Sequence, residues 1–138
     1  MSDTGKGDEA VKKYDAIVIG SGVGGSSAAY ALASGGLNVA MVEQDLWGGT
    51  CPNRGCDPKK VLVAGLEAMD RANQLAGKGL AAVPRLDWPR LMASKRSFTQ
   101  PYPKGFEQGA REHGIETIKG HAHFLDEARL SVHDAVPA

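Results

Sequence analysis

Apolar and polar positions fall into short blocks that read as alternating strands and helices. Ala16 to Ile19 is an apolar run rich in β-branched residues, which predicts a buried strand. Glycines follow at Gly20, Gly22, Gly24 and Gly25. Ser26 to Ser34 is built from small residues and good helix formers, and Gly35-Gly36 supplies a stop. Asn38 to Val42 predicts a second buried strand, so the three pieces form a β-α-β unit with a right-handed crossover. From about Gly55 to Ala76, apolar residues recur at helical spacing (Val61, Leu62, Leu66, Met69, Leu75 among them), and Gly77 and Gly79 end that helix. Asp87-Trp88-Pro89 reads as an N-cap with a proline in the first turn. Pro101 and Pro103 interrupt the helix so opened, which resumes from Gly105 to His113. Short alternating runs at Ile115 to Ile118, Ala122 to Leu125 and Leu130 to Val132 predict strands.

Composition narrows this to one α/β domain, residues 14–138, behind a flexible polar leader, residues 1–13. The 138 residues suit one buried core, and 42% hydrophobic with 23% charged content is ordinary for a globular chain. Sixteen basic and sixteen acidic residues cancel, which argues against a nucleic-acid partner. No apolar run approaches the ~20 residues needed to cross a bilayer, and the leader has no apolar signal core. Two cysteines are too few for a disulfide scaffold. A cytoplasmic location with no membrane partner is the expectation, and there a close cysteine pair suggests metal or redox chemistry.

Gly20-Ser21-Gly22-Val23-Gly24-Gly25 fits G-x-G-x-x-G. A match alone is weak, because glycine-rich turns are common. Here a strand precedes it, a helix follows, and Glu43 closes the next strand, 18 positions past Gly25. Gly20 would permit the tight turn, Gly22 the approach of a pyrophosphate, and Gly25 close helix–strand packing. The helix N-terminus would offer N–H groups to phosphates, and Glu43 would accept from a ribose hydroxyl. The plainer alternative is a glycine-rich turn beside a surface glutamate. With every element in order, the expectation is a bound dinucleotide.

Cys51 and Cys56 are separated by Pro52-Asn53-Arg54-Gly55, which is not zinc-ribbon spacing, and no second cysteine pair completes four ligands. The four histidines have no ligand-like spacing to the thiols. His121 and His123 share a face of a strand and read as ordinary strand residues, so no metal is expected. In a regular helix, residues five apart have Cα atoms roughly 8–9 Å apart, whereas a disulfide needs less than about 7 Å. If the two are linked, Cys51 sits in a turn or a distorted first turn, with Cys56 at the start of the long helix. There the helix dipole, Arg54, Lys59 and Lys60 would favour a thiolate. Two unlinked, inert cysteines are the alternative.

Gly48-Gly49-Thr50-Cys51, then Gly55-Cys56, Pro58 and Lys59-Lys60, resembles the redox signature of the class I pyridine nucleotide-disulfide oxidoreductases. That family includes glutathione reductase, dihydrolipoamide dehydrogenase and mercuric reductase. The resemblance runs from about Tyr14 to the end of the chain, and Gly120-His121-Ala122 is similar to the glutathione reductase segment at the adenine of FAD. It implies a Rossmann-like FAD-binding domain, a parallel sheet with flanking helices, incomplete relative to the family. Gly20, Gly22, Gly24 and Gly25 would then line the FAD pyrophosphate, Glu43 the ribose, Gly49 and Thr50 the flavin side, and Ala122 the adenine. Cys51 would be the interchange thiol and Cys56 the thiol against the flavin. Lys59 or Lys60 would approach the flavin ring. Electrons would pass from NAD(P)H through FAD to a Cys51–Cys56 disulfide and on to a disulfide substrate.

Three departures qualify the resemblance. Pro52 and Asp57 replace aliphatic residues, and an acid beside Cys56 opposes a thiolate. Phe106 stands where glutathione reductases carry a glutathione-contacting tyrosine, which puts glutathione as substrate in question. The family chain is about three times longer, with an NAD(P)H domain and a dimer-interface domain that carries a catalytic base. The expectation is therefore an N-terminal fragment of a homodimeric enzyme, without turnover of its own. Dihydrolipoamide dehydrogenase and mercuric-reductase activities are the enzymatic alternatives. Outside enzymes the alternatives are a stand-alone redox-carrier module and a nucleotide-binding protein without flavin.

Overall fold

Every residue of the run Val39–Glu43 is buried, and the rest of the architecture is arranged around it. The computed structural model describes residues 11–134. Residues 1–10 of the expected leader and the last four residues of the expected domain lie outside the described residues. Strand β1 (Ala16–Ile19) leads through the glycine turn into helix α1 (Val23–Ser34), which returns to β2 (Val39–Glu43). A short helix α2 (Thr50–Arg54) and a long α3 (Cys56–Gln74) follow, then α4 (Trp88–Thr99), α5 (Tyr102–Glu112) and β3 (Glu116–Lys119). The chain closes with a hairpin of β4 (His121–Phe124) and β5 (Leu130–His133).

The three strands β1, β2 and β3 form a parallel sheet in that order, with Ala16 opposite Val39 and Ala40 opposite Glu116. This is the α/β class that the sequence predicts. Parallel neighbours need crossover connections, and helices supply both of them. Val39 and Met41 meet Ala29 of α1, Ala110 of α5, Trp47 and Ile115 in one core cluster, with Val18, Tyr30 and Phe106 packed against it. The small residues of α1 explain its close seat on the sheet. A Cβ on Gly25 would overlap the carbonyl oxygen of Gly20 and stand 3.3 Å from a Val18 methyl.

The structure corrects several expectations. β1 is an edge strand, not a buried one: Ile17 and Ile19 are 38% and 50% exposed while their alternates turn inward. A strand paired on one side alternates its faces in this way. Helix α1 begins at Val23, so Gly24 and Gly25 lie in its first turn. The helix opened at Asp87 ends at Thr99, and a separate helix starts at Tyr102 with Pro101 as its N-cap. Asp87 caps α4 as predicted, accepting from the Arg90 N–H at 3.1 Å. Among the described residues, no helix is long and apolar enough to cross a membrane.

Candidate functional site

The glycine turn sits at the carboxyl ends of β1 and β2, where open α/β sheets bind ligands. Gly20 has φ of +91° and donates its N–H to the Val42 carbonyl at 2.8 Å, which locks the turn to β2. Ser21 is fully buried beneath it. Its N–H and its hydroxyl both donate to Glu43 Oε2, at 2.9 and 2.6 Å, and its hydroxyl oxygen accepts from the Gly48 N–H at 2.9 Å. Glu43 Oε1 accepts from the Asp45 N–H at 2.8 Å. Burial pushes the Glu43 carboxyl up, but these hydrogen bonds and the nearby Lys119 charge outweigh it and hold the group below the usual carboxylate range. Glu43 is therefore a fixed carboxylate, not the free surface acid of the plainer alternative. Lys119 also donates to the Asp45 carbonyl.

Helix α1 presents an uncapped N-terminus. Gly22 is the N-cap, no side chain caps it, and no acid stands in the first turn. The first N–H groups of such a helix lack intrahelical partners and carry partial positive charge. The sequence places Gly49 far from this turn, yet the fold presses the two together. A Cβ on Gly49 would lie 2.6 Å from Gly22 Cα, and Gly49 has φ of +73°, so only glycine suits the position.

Two clefts meet at Glu43. One, of about 320 Å³, is lined by Gly22, Glu43, Gly49, Thr50 and Asn53 among others. The other, of about 200 Å³, is lined by Gly20, Glu43, Gly120, His121 and Ala122 among others. Six of the predicted cofactor residues are thus brought to one crevice. Ser21 lies beneath it, while Val23, Gly24 and Gly25 form the first turn of α1.

The cysteines stand next to this crevice. Cys51 lies in the first turn of the short helix α2, and Gly55 separates that helix from Cys56 at the start of α3, where the sequence places it. A Cβ on Gly55 would stand 3.0 Å from the Thr50 carbonyl oxygen and 3.2 Å from Cys51 Cα, so glycine lets the two helices meet at the cysteines. Both thiols are free, Cys51 half-buried and Cys56 exposed. Hydrogen bonding with the Cys56 side chain, then burial, raise the Cys51 thiol above its ordinary value. Charges on Cys56 and Asp57 add to this, and the Cys56 backbone N–H opposes it. Arg54, expected to favour a thiolate, is instead forked onto Asp45 at 2.7 and 3.2 Å. Lys60 lies 4.0 Å from Asp57, and Lys59 lines a groove with Gly55, Pro58, Trp88 and Met92.

Asn53 was not anticipated. It is buried, and its amide donates to the Trp47 and Gly49 carbonyls at 3.0 and 2.7 Å, tying α2 to the glycine pair. Its place as the one amide between the two cysteines is the signal that could have marked it. Phe106 packs on the core cluster and approaches Tyr102 and Gly48.

The family model described as pyridine nucleotide-disulphide oxidoreductase matches residues 14–135. Dihydrolipoyl dehydrogenase 3 of Pseudomonas aeruginosa is 38% identical over 125 residues, covering 88% of this chain and 27% of that protein. Mercuric reductase of Streptomyces lividans is 40% identical over 123 residues, covering 86% and 26%. Among solved structures, the Cu(II) complex of the HOCl-induced flavoprotein disulfide reductase RclA from Escherichia coli superposes with a TM-score of 0.69 at 31% identity, covering 89% and 25%. The chain spans about a quarter of the length of the curated relatives it matches.

Proposed function

The chain belongs to the pyridine nucleotide-disulphide oxidoreductase family, and from that premise we propose that it supplies the FAD cradle and the dithiol of a disulfide oxidoreductase. One observation carries the reading: Gly49 packs on Gly22, which sets the α1 N-terminus beside the helix that bears Cys51. A dinucleotide held at the first would reach the second.

The residues fit FAD. An uncapped helix N-terminus suits a pyrophosphate, and nothing lies within 4 Å of where a Cβ on Gly22 would stand. Glu43 keeps unused acceptor capacity for a ribose hydroxyl, since a carboxylate has about four lone-pair sites and three donors reach it. Ala122 and Gly120 wall the adenine side, and Gly49, Thr50 and one of Lys59 and Lys60 face the flavin side. When bound, FAD would supply two-electron transfer between a nicotinamide and the cysteine pair. The cysteines do the rest. Cys51 attacks one sulfur of the substrate disulfide and the departing thiolate takes a proton. Cys56 then attacks Cys51 Sγ, which frees the second thiol and leaves the Cys51–Cys56 disulfide.

The finer parts of the reading follow the family resemblance. NAD(P)H is the donor, recognised by residues outside this chain, and the whole enzyme is a cytoplasmic homodimer. This segment by itself has no turnover. Its relatives bear different substrate names, so the disulfide substrate is named only by class. Absorption spectra of the chain reconstituted with FAD, before and after a mild dithiol, test the proposal. Bound flavin that gains a long-wavelength band on reduction is the expected result, and the band should vanish in Cys56→Ser. Flavin bound without a band would overturn the cysteine roles, and no binding would overturn the cradle.

A further inference from the structure

Helix α2 cannot hold itself in place. It has five residues, no side chain caps it at Gly49, and Pro52 lacks an N–H. Isolated helices shorter than ~12–15 residues are marginal in water, so the position of Cys51 depends on what ties α2 to the rest of the fold. The fork of Arg54 on Asp45 is one tie, but these side chains are 61% and 58% exposed, and an exposed pair contributes little. The buried tie is Asn53.

Its amide nitrogen carries two hydrogens, and the Trp47 carbonyl at 3.0 Å and the Gly49 carbonyl at 2.7 Å accept them. These partners fix which way round the amide lies, since a reversed group would turn its oxygen to two carbonyls. Trp47 belongs to the core cluster and Gly49 packs on Gly22, so α2 is tied to both. Among the described residues, Asn53 Oδ1 is buried and meets no donor. Burying an unpaired acceptor is destabilising. Asn53 is therefore not the residue that stability alone would favour, and its two donors need another account. The cysteines supply one, because Asn53 stands two residues after Cys51 and three before Cys56. The side chains of Cys51 and Cys56 are in hydrogen-bond contact, which requires α2 to stay seated against the start of α3 at Gly55.

We propose that Asn53 is a positioning residue for the dithiol, holding Cys51 Sγ within reach of Cys56 Sγ by clamping α2 to Trp47 and Gly49. The proposal rests on the reading of Cys51 and Cys56 as a redox pair, and it concerns one step. With Cys51 Sγ bonded to a substrate sulfur, the Cys56 thiolate attacks Cys51 Sγ and supplies the electron pair of the new S–S bond. The Cys51–substrate bond breaks, and the substrate sulfur leaves with that bond's pair and takes a proton. The step depends on the effective concentration of Cys56 at Cys51, which a loosened α2 lowers.

Reduced and oxidised glutathione are the probe, equilibrated without air at about pH 7 with the full chain. Remaining thiols are then blocked and the species read by mass spectrometry. At fixed reduced glutathione, the ratio of Cys51–Cys56 disulfide to the glutathione mixed disulfide at Cys51 measures that effective concentration. In Asn53→Ala the ratio should fall about fivefold, the net worth of one ordinary hydrogen bond, with the circular dichroism still that of a folded chain. Asn53→Ser, whose hydroxyl can donate to the Gly49 carbonyl four residues back, should lie between it and the parent. Ile115→Val takes a methyl from the core cluster without touching α2 and should keep the parent ratio. An unchanged ratio in Asn53→Ala, equal ratios in the two Asn53 variants, or an equal fall in Ile115→Val would overturn the proposal and leave the redox pair standing. A parent that forms no Cys51–Cys56 disulfide would overturn the redox reading itself, and the proposal with it.

Discussion

The glycine turn and the cysteine pair lie side by side but are built by opposite means. The turn is buried and internally bonded: Ser21 is fully inaccessible, Glu43 is 8% exposed, and a carboxylate, a hydroxyl and three backbone N–H groups are tied together. The cysteine junction is open. Cys56 is exposed, and the anchors of α2 are the Asn53 amide and the close fit at Gly55. In the function proposed, a cradle for a tightly held cofactor gains from being fixed before the ligand arrives. In the same proposal, a dithiol that must form and break a bond with an incoming partner needs access. The contrast predicts that equivalent small changes cost much more on the first side.

Gly25→Ala should have the largest effect. Its Cβ would overlap backbone, the Gly20 carbonyl, and no side chain can swing away to relieve it. Overpacking of this kind costs about 1–3 kcal/mol, and the upper end is expected here. Urea unfolding measures it. Stability equal to the parent would mean that the turn is not rigid, and the comparison would fail at its stronger half.

Glu43→Gln comes next. Glutamine has one acceptor oxygen where the carboxylate has two, so either the two Ser21 donors or the Asp45 N–H face an NH2 that cannot accept. The bonds that remain go to a neutral group, at a cost of about 1.5–3 kcal/mol. The pH dependence is specific. A carboxyl held low in the folded chain is still ionised where the unfolded chain has taken up its proton. Its contribution is therefore complete above the ordinary carboxylate range and is lost as pH falls through the lowered value. Unfolding free energy measured across that acid limb should fall less steeply in the glutamine variant. Parallel curves would remove Glu43 from the account.

On the cysteine side, Gly55→Ala introduces approaches of 3.0 and 3.2 Å, tight but able to relax because α2 is short and open. A cost near the lower end, about 1 kcal/mol, is expected in the same urea measurement. A loss matching that of Gly25→Ala would erase the distinction between the two regions.

The same contrast explains what could be read from the chain alone. The strand, turn, helix and acid of the cradle announce themselves because glycine positions and apolar runs are local signals. The cap at Asp87 and the long helix after Cys56 are legible for the same reason. Helix α2 is not, since Pro52 and Asn53 have little helical preference and tertiary bonds from Asn53 hold the segment. Charge partners escaped too: Arg54 looks like a thiolate's neighbour in sequence, while the fold turns it to Asp45, nine residues back. Exposure of β1 depends on which strands pair beside it, and a run such as Ala-Ile-Val-Ile carries no record of that.

The smallest change in stability should accompany the most informative change in chemistry. Cys56→Ser alters one exposed atom and should shift unfolding by no more than about 0.5 kcal/mol. Its effect on Cys51 is another matter. The Cys56 side chain is the largest cause of the raised Cys51 thiol, through hydrogen bonding and through its charge, whereas the opposing Cys56 backbone N–H survives the substitution. A serine hydroxyl carries no charge and can donate to a Cys51 thiolate. The Cys51 thiol should therefore titrate at lower pH in Cys56→Ser, and its alkylation by iodoacetamide at a fixed mildly alkaline pH should quicken. Asp57→Asn should act in the same direction but less, because that charge is the least of the causes. The rate-against-pH curves of the three proteins should be ordered parent, Asp57→Asn, Cys56→Ser from high pH to low. An unmoved Cys51 in Cys56→Ser would mean that the two thiols do not sense each other, and the open region would then be a pair of independent surface cysteines.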